Sequence, residues 1–314
     1  MSTHALTHNF RYFFGNLNPS PTFEGRASEH YASVKALIED RSGPARELSP
    51  TCFLQGSYKN ETATYTINDV DIVALCEYLW DPGSPGPGVR YYYRDEIFDL
   101  IAAPLLNTTR YRNKVRYDSQ SMCIKVDVEP KIEILPVVHK MPNKDFSKEP
   151  FRLYRPETGR WEDGFARYHK ALLSWKNREE NTGNNFVPTI KVLKHLRTKF
   201  SLAAVSFHLE CLLFSLPNSL FSGGPADYIP AVLKYIASIS AASWYGRVVK
   251  TPCEDRDIFV PSEWDRASWE MFHKACETWA LVASAANQST DRDAAVKYWQ
   301  VLLGEDSFPK DVAR

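Results

Sequence analysis

The sequence has no long apolar run, no excess of either charge and no paired cysteine spacing, and each absence removes a class of function. Its most apolar stretch, Leu202 to Leu216, carries His208 and Glu210 and is too short to span a bilayer. Met1 to Leu17 is polar and aromatic without a continuous apolar centre, so it does not read as a signal peptide. Lys plus Arg total 38 and Asp plus Glu total 38. That balance leaves no global positive field for a long nucleic acid. Six cysteines, at 52, 76, 123, 211, 253 and 276, include no C-x-x-C pair, which argues against a zinc ribbon or a disulfide framework and for buried free thiols. Internal repeats, a P-loop, a dinucleotide fingerprint and a Ser-His-Asp arrangement are all missing. What is present is 314 residues with 44% hydrophobic and 13% aromatic content, enough for one large or two modest globular domains in the cytoplasm.

The chemistry concentrates in two short segments. Leu54-Gln55-Gly56-Ser57-Tyr58 reads as a strand entering a Gly-Ser turn, and Asn68-Asp69-Val70-Asp71-Ile72 as an Asp-x-Asp opening a second strand. Gly56 lets backbone approach a phosphate, and Ser57 adds a hydroxyl and an N–H to the same anion. Asp69 and Asp71, two apart on a strand, point to one face while Val70 and Ile72 point to the other. Paired carboxylates repel unless a cation lies between them; Mg²⁺ (or Mn²⁺) carrying a triphosphate meets that need. Gly56 and Asp69 are 13 positions apart, joined by the polar, turn-like Lys59 to Thr64, and the combination is far more specific than either half.

Residues 56–72, GSYKNETATYTINDVDI, resemble the signature of the cGAS/DncV-like nucleotidyltransferases, a branch of the DNA polymerase β superfamily. The resemblance extends over residues 28 to 215. It implies an α+β, bilobal polymerase-β-like core with a mixed sheet, a C-terminal helical lobe, and an active site in the cleft. It also implies synthesis of cyclic or short linear nucleotide messengers in bacterial anti-phage defence. The animal DNA-sensing relative grips DNA through a zinc module, and this chain has no such cysteine spacing.

The remaining elements follow from periodicity. Ser28 to Arg41 is expected as a helix capped by Ser28, Thr51 to Gln55 as the first core strand, and Asp71 to Glu77 as the second, covered on both faces. Asp81 to Gly88 is a Pro/Gly-rich loop and a candidate lid. Asp95 to Leu106 is expected as a helix, then Ser121 to Val128 and Lys131 to Val138 as a hairpin. The irregular Met141 to Thr158 marks a boundary between residues 1–158, the nucleotidyltransferase core with its N-terminal helix, and residues 159–314, the helical lobe. Helices are expected over Phe165 to Lys176, Pro188 to Phe200, Ala204 to Leu216, Tyr228 to Tyr245, Ser262 to Asn287 and Arg292 to Leu303.

A two-metal site needs a third acid, and the hairpin offers Asp127 and Glu133. A turn at Glu129-Pro130-Lys131 sets Val128 opposite Ile132, Val126 opposite Ile134, and Asp127 opposite Glu133. That register gathers five aliphatic residues on one face and both acids on the other. The resemblance implies an acid-hydrophobic-hydrophobic-Pro pattern on the second strand; Glu133-Ile134-Leu135-Pro136 fits it, so Glu133 is preferred and Asp127 is the alternative. In the helical half, Lys191 and Lys194 share one face of an amphipathic helix. The resemblance makes Lys194 the first candidate to contact a donor triphosphate and Lys191 the second. It also makes Ser206 a phosphate donor and Phe207 a stacking platform for the base. A solvated helix face and a core aromatic are the plain alternatives, and His208 reads as structural.

The reaction expected is attack of a 3′- or 2′-hydroxyl on the α-phosphate of an NTP, ATP foremost, closing a cyclic di- or trinucleotide. The alternatives are a linear oligoadenylate synthase or another NMP transferase, and a nucleotide-binding regulator with a degenerate site. NTPs and a regulatory protein are the expected partners.

Overall fold

Alternation along one long strand decides how the sheet unit folds. In the computed structural model, which describes residues 6–80, 91–140 and 150–311, the helices and strands run in this order: α1 (Thr7–Leu17), α2 (Pro21–Ile38), β1 (Pro50–Gln55), the single-turn α3 (Gly56–Lys59), β2 (Asp69–Trp80), α4 (Arg94–Leu106), β3 (Val115–Arg116), β4 (Ile124–Val126), β5 (Lys131–His139), β6 (Phe151–Arg155) and β7 (Arg160–Gly164). Then follow α5 (Ala166–Lys176), α6 (Glu179–Thr182), α7 (Phe186–Lys199), α8 (Ser206–Ser215), α9 (Pro225–Ser238), α10 (Ala241–Tyr245), α11 (Arg266–Gln288) and α12 (Arg292–Leu303). The architecture is α+β with a mixed sheet. The proline- and glycine-rich stretch Asp81 to Gly88, expected as a lid, lies outside the described residues.

The chain divides into two compact units. A sheet unit comprises Ser20–Asn60 and Thr66–Lys170, and a helical unit comprises Met1–Pro19, Glu61–Tyr65 and Ala171–Arg314. This corrects the division expected at 158/159 in two respects. Part of the stretch expected to be irregular forms β6, which pairs with β5 and with β7, so the sheet continues to Gly164. The N-terminal segment also joins the helical unit, because Phe10 of α1 packs edge-on against Trp299 at 4.9 Å and Phe308 at 5.0 Å.

In the sheet unit the strand order is β1-β2-β5-β4-β3, with β6 on β5 and β7 on β6. Among these pairings only β2 with β5 is parallel. Val70, Ile72, Ala74 and Cys76 of β2, with Ile132, Ile134 and Val138 of β5, pack under α2 and α4. Val73, Leu75, Leu135 and Val137 point the other way and pack beside Phe151 and Leu153 of the neighbouring β6 on that face. Each such buried aliphatic side chain stabilises by about 1.5–3 kcal/mol, and a one-residue slip would turn the whole set to the wrong face. The register that aligns the acids is therefore held by the core beneath them.

The helical unit buries α8 on nearly every side, and among its buried residues the strongly polar ones are His208 and Glu210. Lys176 is buried and donates to the carbonyls of Phe214 and Leu216, both at 2.7 Å, closing the end of α8. Burial alone lowers its pKa to about 8. The helix expected from Tyr228 to Tyr245 is broken after Ser238; Ser240 caps the short α10 by accepting from Ser243 N–H at 3.1 Å. All six cysteines are free. Among the described residues no helix is long and apolar enough to cross a membrane.

One further correction concerns α2. Its cap is Ser20, whose hydroxyl accepts from Phe23 N–H at 3.1 Å, with Pro21 at the first helical position, while the expected cap Ser28 lies exposed inside the helix. Ser20→Ala should cost about 1 kcal/mol in urea unfolding, whereas Ser28→Ala should be neutral or slightly stabilising. Equal losses would contradict this cap.

Candidate active site

Strand pairing sets three acids of the sheet unit, Asp69, Asp71 and Glu133, on one face of neighbouring strands. Asp71 on β2 is the parallel partner of Glu133 on β5, and Asp69 is the partner of Lys131. Asp69, Asp71 and Glu133 therefore stand on the sheet face of Val73 and Leu135, opposite the α2/α4 core. Their mutual repulsion is visible in their proton affinities. Burial first, then the nearby charges of Asp69 and Glu133, raise Asp71 from 3.8 to about 7. Burial first, then Glu133, raise Asp69 as well.

Gly56 follows β1 at the point where Gln55 pairs with Asp71, and its φ is +71°. A Cβ at Gly56 would sit 1.8 Å from Asp71 Oδ2. Room for this carboxylate is thus a second reason for glycine, beside approach to a phosphate. Ser57 is half-buried in the single turn that follows.

The hairpin keeps its faces but not its expected register. Val126 opposes Ile132, Lys125 opposes Glu133, and Ile124 opposes Ile134. Asp127 does not face Glu133. Its N–H donates to Lys114 O at 2.9 Å and its carboxylate pairs with Arg116. The cause lies at both ends of the turn: Asp127 is drawn to the β3 side, while Lys131 N–H donates to Asn68 O at 2.9 Å and fixes the start of β5 against β2. Glu133 has Lys125 at 3.6 Å. Glu133 also contributes, after burial, to pushing the neighbouring Cys123 thiol up to about 12. Among the described residues no three His, Cys, Asp or Glu side chains are already gathered to hold an ion.

The helical unit sets the two lysines apart. Lys194 is 3% exposed and donates to Glu210 Oε1 at 2.7 Å, Thr62 Oγ1 at 3.0 Å and Thr62 O at 3.1 Å. All three ammonium protons have acceptors inside the helical unit, the arrangement of a buried structural cation. A lone carboxylate inside the most apolar helix demands such a partner, and Glu210 was the signal for it. Lys191 lies nearer the surface, with Asn18 Oδ1 at 2.7 Å. Ser206 begins α8 and accepts from Arg197 Nη1 at 2.9 Å. Phe207 is half-buried against the helical core, with the Arg256 guanidinium 5.2 Å from its ring centre. His208 is a core residue held by Glu263 at 3.0 Å.

Residues 174–280 match the family described as the cGAS/DncV-like nucleotidyltransferase C-terminal helical domain. A cyclic UMP-AMP synthase of Rhodothermus marinus is 25% identical over 229 residues, spanning 67% of this chain and 77% of that relative. Over these stretches the chain is similar to the cGAS/DncV-like nucleotidyltransferases. Members of the family also share its fold. The structure of R. marinus CdnE c-UMP-AMP synthase with Apcpp and Upnpp has a TM-score of 0.67 at 21% identity, covering 87% of this chain and 96% of that one. Escherichia coli MS115-1 CdnC with ATP gives 0.70 at 14% identity, covering 96% and 98%. The same CdnC, solved in complex with HORMA-deltaN, gives 0.69 at 15% identity, covering 96% and 98%.

Two outcomes test this electrostatic picture without reference to turnover. The native fold binds the Asp71 proton more tightly than the unfolded chain does, so Asp71 lowers stability as pH rises from 3.8 towards about 7, after which the penalty levels off. Without divalent cations, Asp71→Asn should raise stability at pH 8 by about 2–3 kcal/mol, discounted for partial exposure, and the gain should fade towards pH 4. A pH-independent difference would contradict the shift. Lys194→Ala should cost about 3–5 kcal/mol because Glu210 is left buried and unpaired, whereas Lys191→Ala should cost under about 0.5 kcal/mol. Similar losses for both in chemical denaturation would return Lys194 to the surface.

Proposed function

We propose that this chain condenses nucleoside triphosphates, with ATP among them, into a cyclic di- or trinucleotide in a divalent-cation-dependent reaction. The carrying observation is the meeting of Asp69, Asp71 and Glu133 on one face of the β2–β5 pair, with Gly56 clearing space for Asp71. In each transfer a ribose hydroxyl oxygen forms a bond to the α-phosphorus of an NTP. The bond to the pyrophosphate oxygen breaks, and the hydroxyl proton is released.

The donor set fits Mg²⁺ or Mn²⁺: three carboxylate-bearing side chains, two of them with raised pKa values, and one nearby lysine that does not neutralise them. When bound, such ions make the hydroxyl more acidic and offset the charge of the triphosphate and of the departing pyrophosphate. The chain's own residues do the positioning. Asp69 and Asp71 hold their carboxylates rigidly on a strand whose other face is core, and Glu133 supplies the third carboxylate. Gly56 and Ser57 offer backbone and hydroxyl contacts to phosphate. Lys191, with Ser206 and Phe207, is the reading retained for donor binding in the helical unit. The relatives support a nucleotide messenger as product, and anti-phage signalling in the bacterial cytoplasm under a regulatory protein is part of the same proposal.

Incubation with labelled NTPs, singly and in pairs, with Mg²⁺ or Mn²⁺ should give a product resistant to phosphatase, since a ring has no terminal phosphate. A phosphatase-sensitive product would mean a linear synthase, and no product at all a regulator. Asp69→Asn and Asp71→Asn should each abolish product, and Glu133→Gln should reduce turnover by orders of magnitude. Asp127→Asn should change turnover less than about threefold, because Asp127 belongs to an exposed ion pair. Retained turnover in Asp69→Asn and Asp71→Asn, or the reverse ranking of Glu133 and Asp127, would overturn the assignment.

A further inference from the structure

The sheet unit carries a cavity of 640 Å³ that the carboxylate site does not use. Its volume falls within the span of about 300–1,000 Å³ usual for small-molecule sites. It lies on the other side of the sheet. Arg152 and Tyr154 of β6 line it, and they alternate with Phe151 and Leu153, which pack with Val73, Leu135 and Val137 on the carboxylate face. Val138, the β5 partner of Arg152, packs with the α4 core, which places the cavity on the α4 side.

The lining combines aromatic rings with guanidinium groups. Tyr154 and Trp161 form one wall, edge to face at 5.8 Å, and Tyr91 and Tyr93 form another, edge to face at 4.9 Å. Arg94, at the first position of α4, has only 9% of its side chain exposed. Nη1 donates to Asp95 at 2.7 Å, Nη2 donates to Ser121 O, and the guanidinium lies 3.6 Å from the Phe98 ring centre. Its Nε–H is buried with no acceptor among the described residues. Nitrogen protons buried in this way are costly unless something accepts from them. Charge points in the same direction. Asp95 lines the cavity but is matched by Arg94, and Arg152 is matched by Asp163 at 2.6 Å. Arg160 lines the cavity exposed, with no ion pair among the described residues.

We propose that this cavity is a second ligand site, separate from the carboxylate centre, that takes a small planar aromatic anion. The ring lies against Tyr154 and Trp161, and the acid group faces the exposed guanidinium of Arg160. Stacking and charge-assisted hydrogen bonds together give such a ligand an advantage over either a neutral ring or a plain anion.

Calorimetric titration of the full chain, without nucleotides or divalent cations, tests this with 2-naphthyl phosphate, 2-naphthoate, neutral 2-naphthamide and inorganic phosphate. At least one aromatic acid should bind, and comparing the two identifies the acid group. The amide and inorganic phosphate should bind at least about tenfold more weakly. Arg160→Gln and Tyr154→Leu should each raise Kd by about fivefold to tenfold, and Ser119→Trp, from an exposed loop at the rim, should abolish binding. Asp69→Asn should leave Kd unchanged. Absence of binding by both acids, equal binding of the amide, insensitivity to the three cavity variants, or loss of binding in Asp69→Asn would each overturn the proposal. Arg160 and Ser119 are exposed, so their variants keep the fold and the result stands independently of any effect of Tyr154→Leu on stability.

Discussion

The parallel register between β2 and β5 is the constraint on which the sheet unit depends. It makes Asp71 the neighbour of Glu133, and it is fixed by the aliphatic side chains that alternate with those acids. Slipping either strand by one residue would expose Val70, Ile72, Ile132 and Ile134 and bury carboxylates in their place. Core burial and site geometry are therefore the same fact viewed from two faces of one sheet. The hairpin β4–β5 and the β6–β7 extension both build on β5, so they inherit its placement.

Aligning three carboxylates carries a cost, and the structure leaves it largely uncompensated. Lys125 stands 3.6 Å from Glu133 and is mostly exposed, which gives little screening of Asp71. Asp71 takes up protons near neutrality instead. A buried cation is available elsewhere in the chain: Lys194 neutralises Glu210 in the helical unit, where stability alone is at stake. The contrast separates the two kinds of acid. Glu210 has a resident partner, whereas the acids on β2 and β5 have charge left for a ligand to complete.

Strand periodicity made much of this legible from residues alone. The Gly-Ser turn, the Asp-x-Asp strand, the run covered on both faces, and the shared face of Ile124, Val126, Ile132 and Ile134 all follow from a period of two. The position of the hairpin pairing did not follow, because side-chain parity is identical for registers two residues apart. What selected the observed one is backbone bonding of Asp127 to Lys114 and of Lys131 to Asn68, which no local pattern encodes. The α2 start was missed because Ser20-Pro21 precedes a weakly amphipathic turn, although Ser followed by Pro is itself a helix-start signal. The resemblance points Lys194 at phosphate, and helix spacing shows the face it shares with Lys191 but not whether that face is buried. Its partner Thr62 sits in the same polar segment that joins the Gly-Ser turn to the Asp-x-Asp strand, a contact between residues 132 positions apart.

The central claim is that Asp69, Asp71 and Glu133 form a charge-strained set completed by a divalent cation. Its most direct measurement is calorimetric titration with the Mn²⁺ complex of a non-hydrolysable ATP analogue, in two buffers of different ionisation enthalpy. At pH 6 binding should release close to one proton, because Asp71 with a pKa of about 7 is mostly protonated before the ion arrives. The release should fall towards zero at pH 8.5 and be absent in Asp71→Asn. Binding with no proton release at pH 6, or the same release in Asp71→Asn, would contradict the account.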